Sequence, residues 1–337
     1  MKKGIIFILL IAFTASVHIF GQAWKPDILG DNYEMRYVNM PDDYSGKVRS
    51  TIIRNKSDCD SKKAILYVHG YNDYFFQKEM GDRFVDSCYN FYAVDLRKYG
   101  RSLLPGQRAF EVRDMSEYFA DVDSALNAIV KDGNKSIILM GHSTGGLTAS
   151  YYLAKGNGKK YPVKGLILNS PFLDMNLSPF EEKVLIPLVG IYSNLSKNTE
   201  ISQGDSKGYA ESLLKKYHGE WEYNTDWKKE VSPDVTTGWL AAIHNAQKYM
   251  QKGTDIRVPI LLMHSAKTVW GSDWTPKFNS ADVVLDVRDI VKYGRKLGGN
   301  IHELNVNGGV HDLVLSRKPV REAVYKSMFN WINRNEF

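Results

Sequence analysis

Short apolar runs alternate along the chain with longer segments whose apolar residues recur at helical spacing. The clearest runs are Ala64–Val68, Phe91–Val94, Ile137–Met140, Val163–Leu168, Val258–Met263 and Ile301–Val306. They are apolar on both faces and rich in Ile, Leu and Val, the pattern of central parallel strands rather than half-exposed ones. Met115–Val130 places Phe119, Val122, Leu126 and Ile129 on one helical stripe and ends at Gly133; Phe75–Ser87, Ile290–Leu297 and Val320–Ile332 are also read as helices. This alternation predicts a doubly wound, mostly parallel sheet flanked by helices. Asn32–Ile53 predicts an earlier antiparallel strand pair that turns through Pro41-Asp42-Asp43.

The pattern breaks between about Met175 and Asp255. No run there resembles a central strand; helix-like stretches (Ser178–Val189, Tyr209–Tyr217, Thr236–Met250) come with Trp221, Trp227, Trp239 and several tyrosines. This segment reads as a helical insertion in the sheet domain. Hydrophobic residues at 43% and charged residues at 24% exclude disorder and a polytopic membrane protein. The net charge of +6 is mild for 337 residues, and its signs are interspersed. The Lys-Lys pairs at 159–160, 215–216 and 228–229 lie in polar stretches and read as solvated surface, so nucleic acid is not an expected partner.

Lys2 and Lys3 precede an uncharged run from Gly4 to Phe20, followed by small residues at Gly21 and Ala23. A basic start, an apolar centre and a small-residue boundary are the parts of a secretory signal peptide. Cleavage near Gly21 or Ala23 removes two of the 44 basic residues and none of the 38 acidic ones, leaving +4. The expected mature chain is exported, periplasmic or secreted, with no stable membrane span. Export makes the two cysteines candidates for a bridge. Cys59 lies just before the first strong strand and Cys88 just after the helix that returns antiparallel to it, so both fall near the N-terminal edge of the sheet.

Gly141-His142-Ser143-Thr144-Gly145 fits G-x-S-x-G, with an apolar run before it and a helix-compatible segment, Leu147–Ala154, after it. Flanking glycines allow a sharp strand-to-helix turn that lifts the Ser143 hydroxyl above the sheet, at a helix N-terminus whose N–H groups favour developing negative charge. Other pieces follow in order. They are Leu66-Tyr67-Val68-His69-Gly70-Tyr71, then Asp95-Leu96-Arg97-Lys98-Tyr99-Gly100-Arg101-Ser102, and Gly308-Gly309-Val310-His311-Asp312 after the last strand. Taken together, residues 64–331 resemble the α/β-hydrolase superfamily, in its branch of monoacylglycerol-lipase-like and serine-aminopeptidase-like enzymes.

The resemblance implies an α/β-hydrolase fold with a helical cap. The expected division is a signal peptide at 1–23, a first core part at 24–174, a cap at 175–255 and a second core part at 256–337. It implies Ser143 as nucleophile and His311 as base, in the chain order Ser, acid, His. His18 falls in the signal peptide, His69 and His142 occupy family positions without that role, His218 and His244 lie in the cap, and His264 and His302 belong to strands. The backbone N–H groups of Tyr71 and Thr144 are the implied oxyanion donors. For the acid, Asp282-Val283-Val284-Leu285-Asp286 resembles the family's D-x-V-x-D stretch, which favours Asp282, with Asp286 next and Asp273 third. The long Ser265–Ala281 excursion before it departs from the family pattern. Its Trp270 and Trp274 are expected to pack on core or cap. Asp286 also suits a helix N-cap.

Three functions stay open on these residues. A carboxylic esterase acting on a lipid-like or monoacylglycerol-type small molecule leads. A serine aminopeptidase is the first rival, with Glu181 and Glu182 as groups that could meet a substrate amine. A catalytically silent binding protein on the same fold is the second. No cofactor or metal is implied: there is no H-E-x-x-H and no C-x-x-C.

Overall fold

The computed structural model describes residues 22–30, 32–175, 192–193 and 195–337. The signal-peptide expectation therefore lies almost wholly outside the described residues, as do the helix expected at 178–189 and Glu181 and Glu182. Its centre is a nine-stranded sheet in the order β1-β2-β3-β5-β4-β6-β7-β10-β11. β1 (Lys25–Pro26), β2 (Glu34–Asp43) and β3 (Gly46–Asn55) pair antiparallel, and β3 joins β5 (Asn90–Asp95) antiparallel. From β5 onward the sheet is parallel through β4 (Lys63–Val68), β6 (Ser136–His142), β7 (Val163–Asn169), β10 (Ile260–Ser265) and β11 (Ile301–Val306).

The two-residue period of a strand sorts its side chains into two cores. In β4, Ala64, Leu66 and Val68 point to one face and Ile65 and Tyr67 to the other. The first face is covered by α2 (Phe119–Lys131) through Val122, Leu126 and Ile129, and by α3 (Thr144–Ala154) through Leu147. The second is covered by α1 (Lys78–Asp86) through Met80 and Phe84, and by α7 (Lys318–Arg334) through Val324, Met328 and Trp331. Each fully buried Ile, Leu or Met contributes roughly 1.5–3 kcal/mol relative to exposure. That is why runs without a polar face had to lie inside the sheet.

Two expectations about strands need correction. Pro41-Asp42-Asp43 is not the turn: β2 continues through it with an irregular register between Met40 and Asp43, and the chain reverses at Tyr44-Ser45. The Asp43 carboxylate accepts the Ser45 N–H at 2.7 Å, so its turn chemistry acts one step later than the sequence suggests. Ile301–Val306 is not central but the sheet edge. His302 and Asn305 are exposed there, and Glu303 pairs with Arg295 at 2.8 Å, polar features that blunt an open edge.

Between β7 and β10 the chain leaves the sheet. A two-residue pairing of β8 (Glu200–Ile201) with β9 (Val235–Thr236) and the short α4 (Gly208–Leu213) lead to α5 (Thr237–Gln251). Thr236 caps α5 by accepting the Trp239 N–H at 3.1 Å. Trp239, Ile243, Ala246 and Met250 of α5 join the first core, so the last helix of the insertion also serves the sheet. Trp274 packs as expected, stacked on His218 with ring centroids 3.5 Å apart, but Trp270 does not: it is 56% exposed. Among the described residues no helix is long and apolar enough to cross a membrane.

Cys59 and Cys88 are joined in a disulfide that ties the loop before β4 to the residues after α1. The bridge spans 29 positions, for which loop-closure entropy gives about 3–4 kcal/mol. Urea titration of Cys59→Ser/Cys88→Ser is expected to show a loss of about that size in unfolding free energy. An unchanged midpoint would contradict a formed, stabilising bridge.

Candidate active site

β6 ends at His142, and α3 begins at Thr144. Ser143 makes the whole turn between them at φ 52°, ψ −118°, a conformation that L-residues avoid. Close packing holds it there. A Cβ on Gly145 would lie 2.2 Å from the Val68 carbonyl oxygen and 2.3 Å from that of His69; one on Gly141 would lie 2.3 Å from the Gly145 oxygen. The Ser143 backbone is also pinned to β7 and its extension: its N–H donates to Asn169 O at 3.0 Å, and its carbonyl accepts from Phe172 N at 3.0 Å. Such strain costs on the order of 1–3 kcal/mol and persists where the surroundings over-determine it.

His311 sits in the loop after β11, where Ser265 at the end of β10 donates to Gly309 O at 2.7 Å and the Val310 N–H donates to Ser316 Oγ at 3.1 Å. Its Nδ1 meets Asp282 Oδ2 at 2.9 Å, and both side chains are buried. A carboxylate can only accept, so Nδ1 carries the hydrogen and the Nε2 lone pair is left available. Asp282 itself is oriented by its other oxygen, which accepts the Val284 and Leu285 N–H groups at 2.8 Å each. The long excursion does not displace it. Asp282 N–H donates to Lys267 O at 3.0 Å, Val269 N–H donates to Asp282 O at 2.9 Å, and Thr268 bridges to Asp282. The chain thus departs just after β10 and returns to the same point. Asp286 is elsewhere: it caps α6 (Val287–Gly294) by accepting the Arg288 N–H at 2.9 Å. Asp273 is exposed, with Ser272 as its hydroxyl partner.

The loop Gly70–Phe76 passes beside the serine, and a Cβ on Gly70 would lie 3.1 Å from Ser143 Cβ. Among the described residues, neither the Tyr71 nor the Thr144 N–H donates to a protein acceptor. His69 supports the loop from beneath: Nδ1 donates to Gly70 O at 2.8 Å, and Nε2 accepts the Leu96 N–H at 3.0 Å. Burial lowers its pKa, which keeps it neutral in this role. The Asp95–Ser102 motif does similar work. Asp95 accepts the Phe75 N–H at 2.9 Å and the Arg101 N–H at 3.0 Å, and Arg101 donates to Phe75 O at 2.9 Å.

Ser143, His142, His311, Tyr71 and Thr144 open on one cavity of about 830 Å³. Its apolar wall includes Phe172, Met175, Trp239, Leu240, Phe278 and Leu285, and Asn72, Gln203 and Lys228 add polar groups. Arrangements of this kind can polarise a hydroxyl, hold a carbonyl oxygen and exclude most water from an apolar chain.

The cavity also holds residues that sequence reasoning missed. Lys228 is not solvated surface: it is buried, and its ammonium lies 3.1 Å from Asp73 Oδ1. A Lys-Lys pair in a polar stretch carries no signal that one member turns inward. Burial alone would raise the Asp73 carboxyl, but Lys228 and His142 outweigh it and hold it well below the usual range. His142 Nδ1 lies 3.7 Å from Asp73 and 3.9 Å from Asp312, and its ring is 4.9 Å from that of His311. Asp312 is turned away from His311 by Asn169 and Gln77, which donate to it at 2.7 and 3.1 Å.

Comparison with known proteins agrees with this architecture. Residues 60–269, well over half the chain, match the family model "Serine aminopeptidase, S33". No curated protein shows a significant match to the sequence. Among solved structures, a monoglyceride lipase from Saccharomyces cerevisiae superposes with a TM-score of 0.64 at 18% identity, covering 92% of this chain and 99% of that one. The monoacylglycerol lipase of Paleococcus ferrophilus gives 0.60 at 17%, covering 84% and 99%. A thermostable carboxyl esterase from Bacillus coagulans gives 0.61 at 13%, covering 89% and 98%. At such identities these likenesses speak for the fold. With the family model and the sheet in agreement, the chain belongs to the S33 serine aminopeptidase family and has the α/β-hydrolase fold.

Proposed function

We propose that the protein is an exported serine hydrolase that cleaves carboxylic esters of lipid-like, monoacylglycerol-type substrates. The observation that carries this reading is the buried His311 Nδ1–Asp282 Oδ2 contact of 2.9 Å, set beside a strained Ser143 on a shared cavity. In the proposed reaction Ser143 Oγ attacks the acyl carbonyl while His311 Nε2 takes its proton. Asp282 holds the tautomer and stabilises the imidazolium. The Tyr71 and Thr144 N–H groups receive the oxyanion, each contributing roughly 3 kcal/mol if comparable to a deleted donor elsewhere. His311 then protonates the leaving alcohol, and water, deprotonated by the same ring, releases the acid from the acyl-enzyme. The apolar wall of Phe172, Trp239, Leu240 and Leu285 suits an acyl chain. Export rests on the Lys2-Lys3 start, the apolar run and the small residues at Gly21 and Ala23.

The family model favours a second reading, an aminopeptidase, which needs a carboxylate for the substrate's amine. Glu230 lines the cavity, but it is engaged by Lys216 and by the Tyr217 hydroxyl, and the Lys216 contact lowers its pKa. Among the described residues, this paired anion is the carboxylate lining the cavity and is a poor amine receptor, which favours the ester.

A panel of p-nitrophenyl esters and aminoacyl anilides separates the two: turnover is expected on the esters, and anilide turnover in its place would make the protein a peptidase. Ser143→Ala is expected to fall below about 10⁻³ of wild-type turnover with the fold intact; activity above that would remove Ser143 as nucleophile. Asp282→Asn is expected to cut kcat by up to ~10⁴ at neutral pH by favouring the wrong tautomer. Asp286→Asn should cost only a helix cap, about 1 kcal/mol of stability. The reverse ordering in parallel kcat measurements would reassign the acid.

A further inference from the structure

The loop Tyr71–Phe76 owes its shape to the insertion. Tyr71 OH donates to Pro233 O at 3.1 Å, and its ring lies 4.8 Å from that of Trp239. Asn72, at φ 47°, exchanges two hydrogen bonds with the Lys229 backbone, at 2.9 Å to its carbonyl and 2.7 Å from its N–H. Asp73 takes the Lys228 ammonium. Tyr74 OH accepts the Asn224 N–H at 2.8 Å and its ring meets Trp227 edge-on at 5.1 Å, while Phe76 packs on Tyr223 at 5.0 Å. Only Phe75 is held chiefly from below, by Asp95 and Arg101. A six-residue loop with no strand or helix of its own therefore has five residues seated on the insertion.

We propose that the insertion segment 221–239 is the template for the oxyanion loop, and that Lys228 is the positioning residue that pins it. The inference rests on the hydrolase reading above, which makes the Tyr71 N–H an oxyanion donor. Burying a lysine and an aspartate together is costly and often no more stabilising than an apolar pair; what the pair does supply is a single geometry. Here that geometry is local. The lysine stem passes among the rings of Phe76, Tyr209 and Tyr223, with Nζ 5.7–5.8 Å from each centroid, so the ammonium has one direction in which to reach a carboxylate. That carboxylate stands two residues from the Tyr71 N–H. Fixing Asp73 fixes the peptide planes between it and Gly70, and with them the donor's aim. Lys228 touches neither the reacting carbonyl nor Ser143 in this scheme; it acts through the loop.

The test compares wild type, Lys228→Met and, as a control in an exposed ion pair away from the cavity, Arg257→Met. It uses a short-chain p-nitrophenyl ester too small to depend on the cavity wall, and an aryl boronic acid that binds a serine as a tetrahedral anion. Deleting an oxyanion donor costs about 10²–10³ in kcat, so a donor present but mis-aimed should cost roughly 10- to 100-fold. Lys228→Met is expected to lose that factor in kcat and the same factor in boronate affinity, with KM for the short ester within about twofold and Arg257→Met unaltered. If Lys228→Met does not fold, Tyr74→Phe, which removes only the hydroxyl that receives the Asn224 N–H, should show the same paired loss, several-fold in size. Unchanged kcat and boronate affinity in a folded variant, or a rise in KM alone, would overturn the inference while leaving the hydrolase reading intact. Absence of ester turnover in the wild type would instead sink the hydrolase reading, and the inference with it.

Discussion

Everything at the site is referred to one strained residue. Ser143 stands at φ 52° because α3 is driven against the end of β4 so closely that Gly145 has no room for a Cβ beside the Val68 and His69 carbonyls. That approach brings three separate pieces of chain together. β4 continues into the Gly70–Phe76 loop that passes beside the serine, β6 delivers the serine itself, and α3 begins at Thr144. The strain, on the order of 1–3 kcal/mol, is offset by the buried apolar rows of β4 and β6 on both faces of the sheet. Relaxing the elbow would pull those rows out of register, so the serine stays raised above the strand ends.

The second layer is electrostatic, and it comes in two buried clusters with different tasks. Asp282 is satisfied by two backbone N–H groups on one oxygen and by His311 on the other, an arrangement that sets a tautomer. Asp73 is satisfied by a lysine from the insertion and faces His142, whose ring lies against that of His311. The first meets His311 and the second meets His142. One belongs to the sheet; the other needs the insertion to be seated. The site is therefore half built by the sheet and half by the segment that covers it.

How much of this could be read from residues alone follows from the range of the forces involved. Ala64–Val68, Ile137–Met140 and Val163–Leu168 announce themselves because burial on both faces leaves no polar position, and the elbow because only small residues permit it. Asp282 could be found through its D-x-V-x-D neighbours, since the excursion before it is closed off by local bonds at Lys267–Val269. Lys228 could not. Its inward turn depends on Asp73, 155 residues away in the chain, and an adjacent pair of lysines looks the same whether solvated or buried. Ile301–Val306 carries its edge position openly in His302, Glu303 and Asn305, which a strand buried on both faces would not hold. The chain reverses at Tyr44-Ser45 rather than through Pro41–Asp43, because β2 loses its regular register between Met40 and Asp43 and an irregular stretch can absorb a proline that a regular ladder would reject.

The central claim is that the strained elbow presents Ser143 as an activated nucleophile. Its most direct test is to react the protein with a fluorophosphonate and map the adduct by mass spectrometry of its peptides. The account predicts one stoichiometric adduct, on Ser143, that does not form after denaturation. No adduct on the folded protein, or an adduct on another residue while Ser143 stays unmodified, would contradict it.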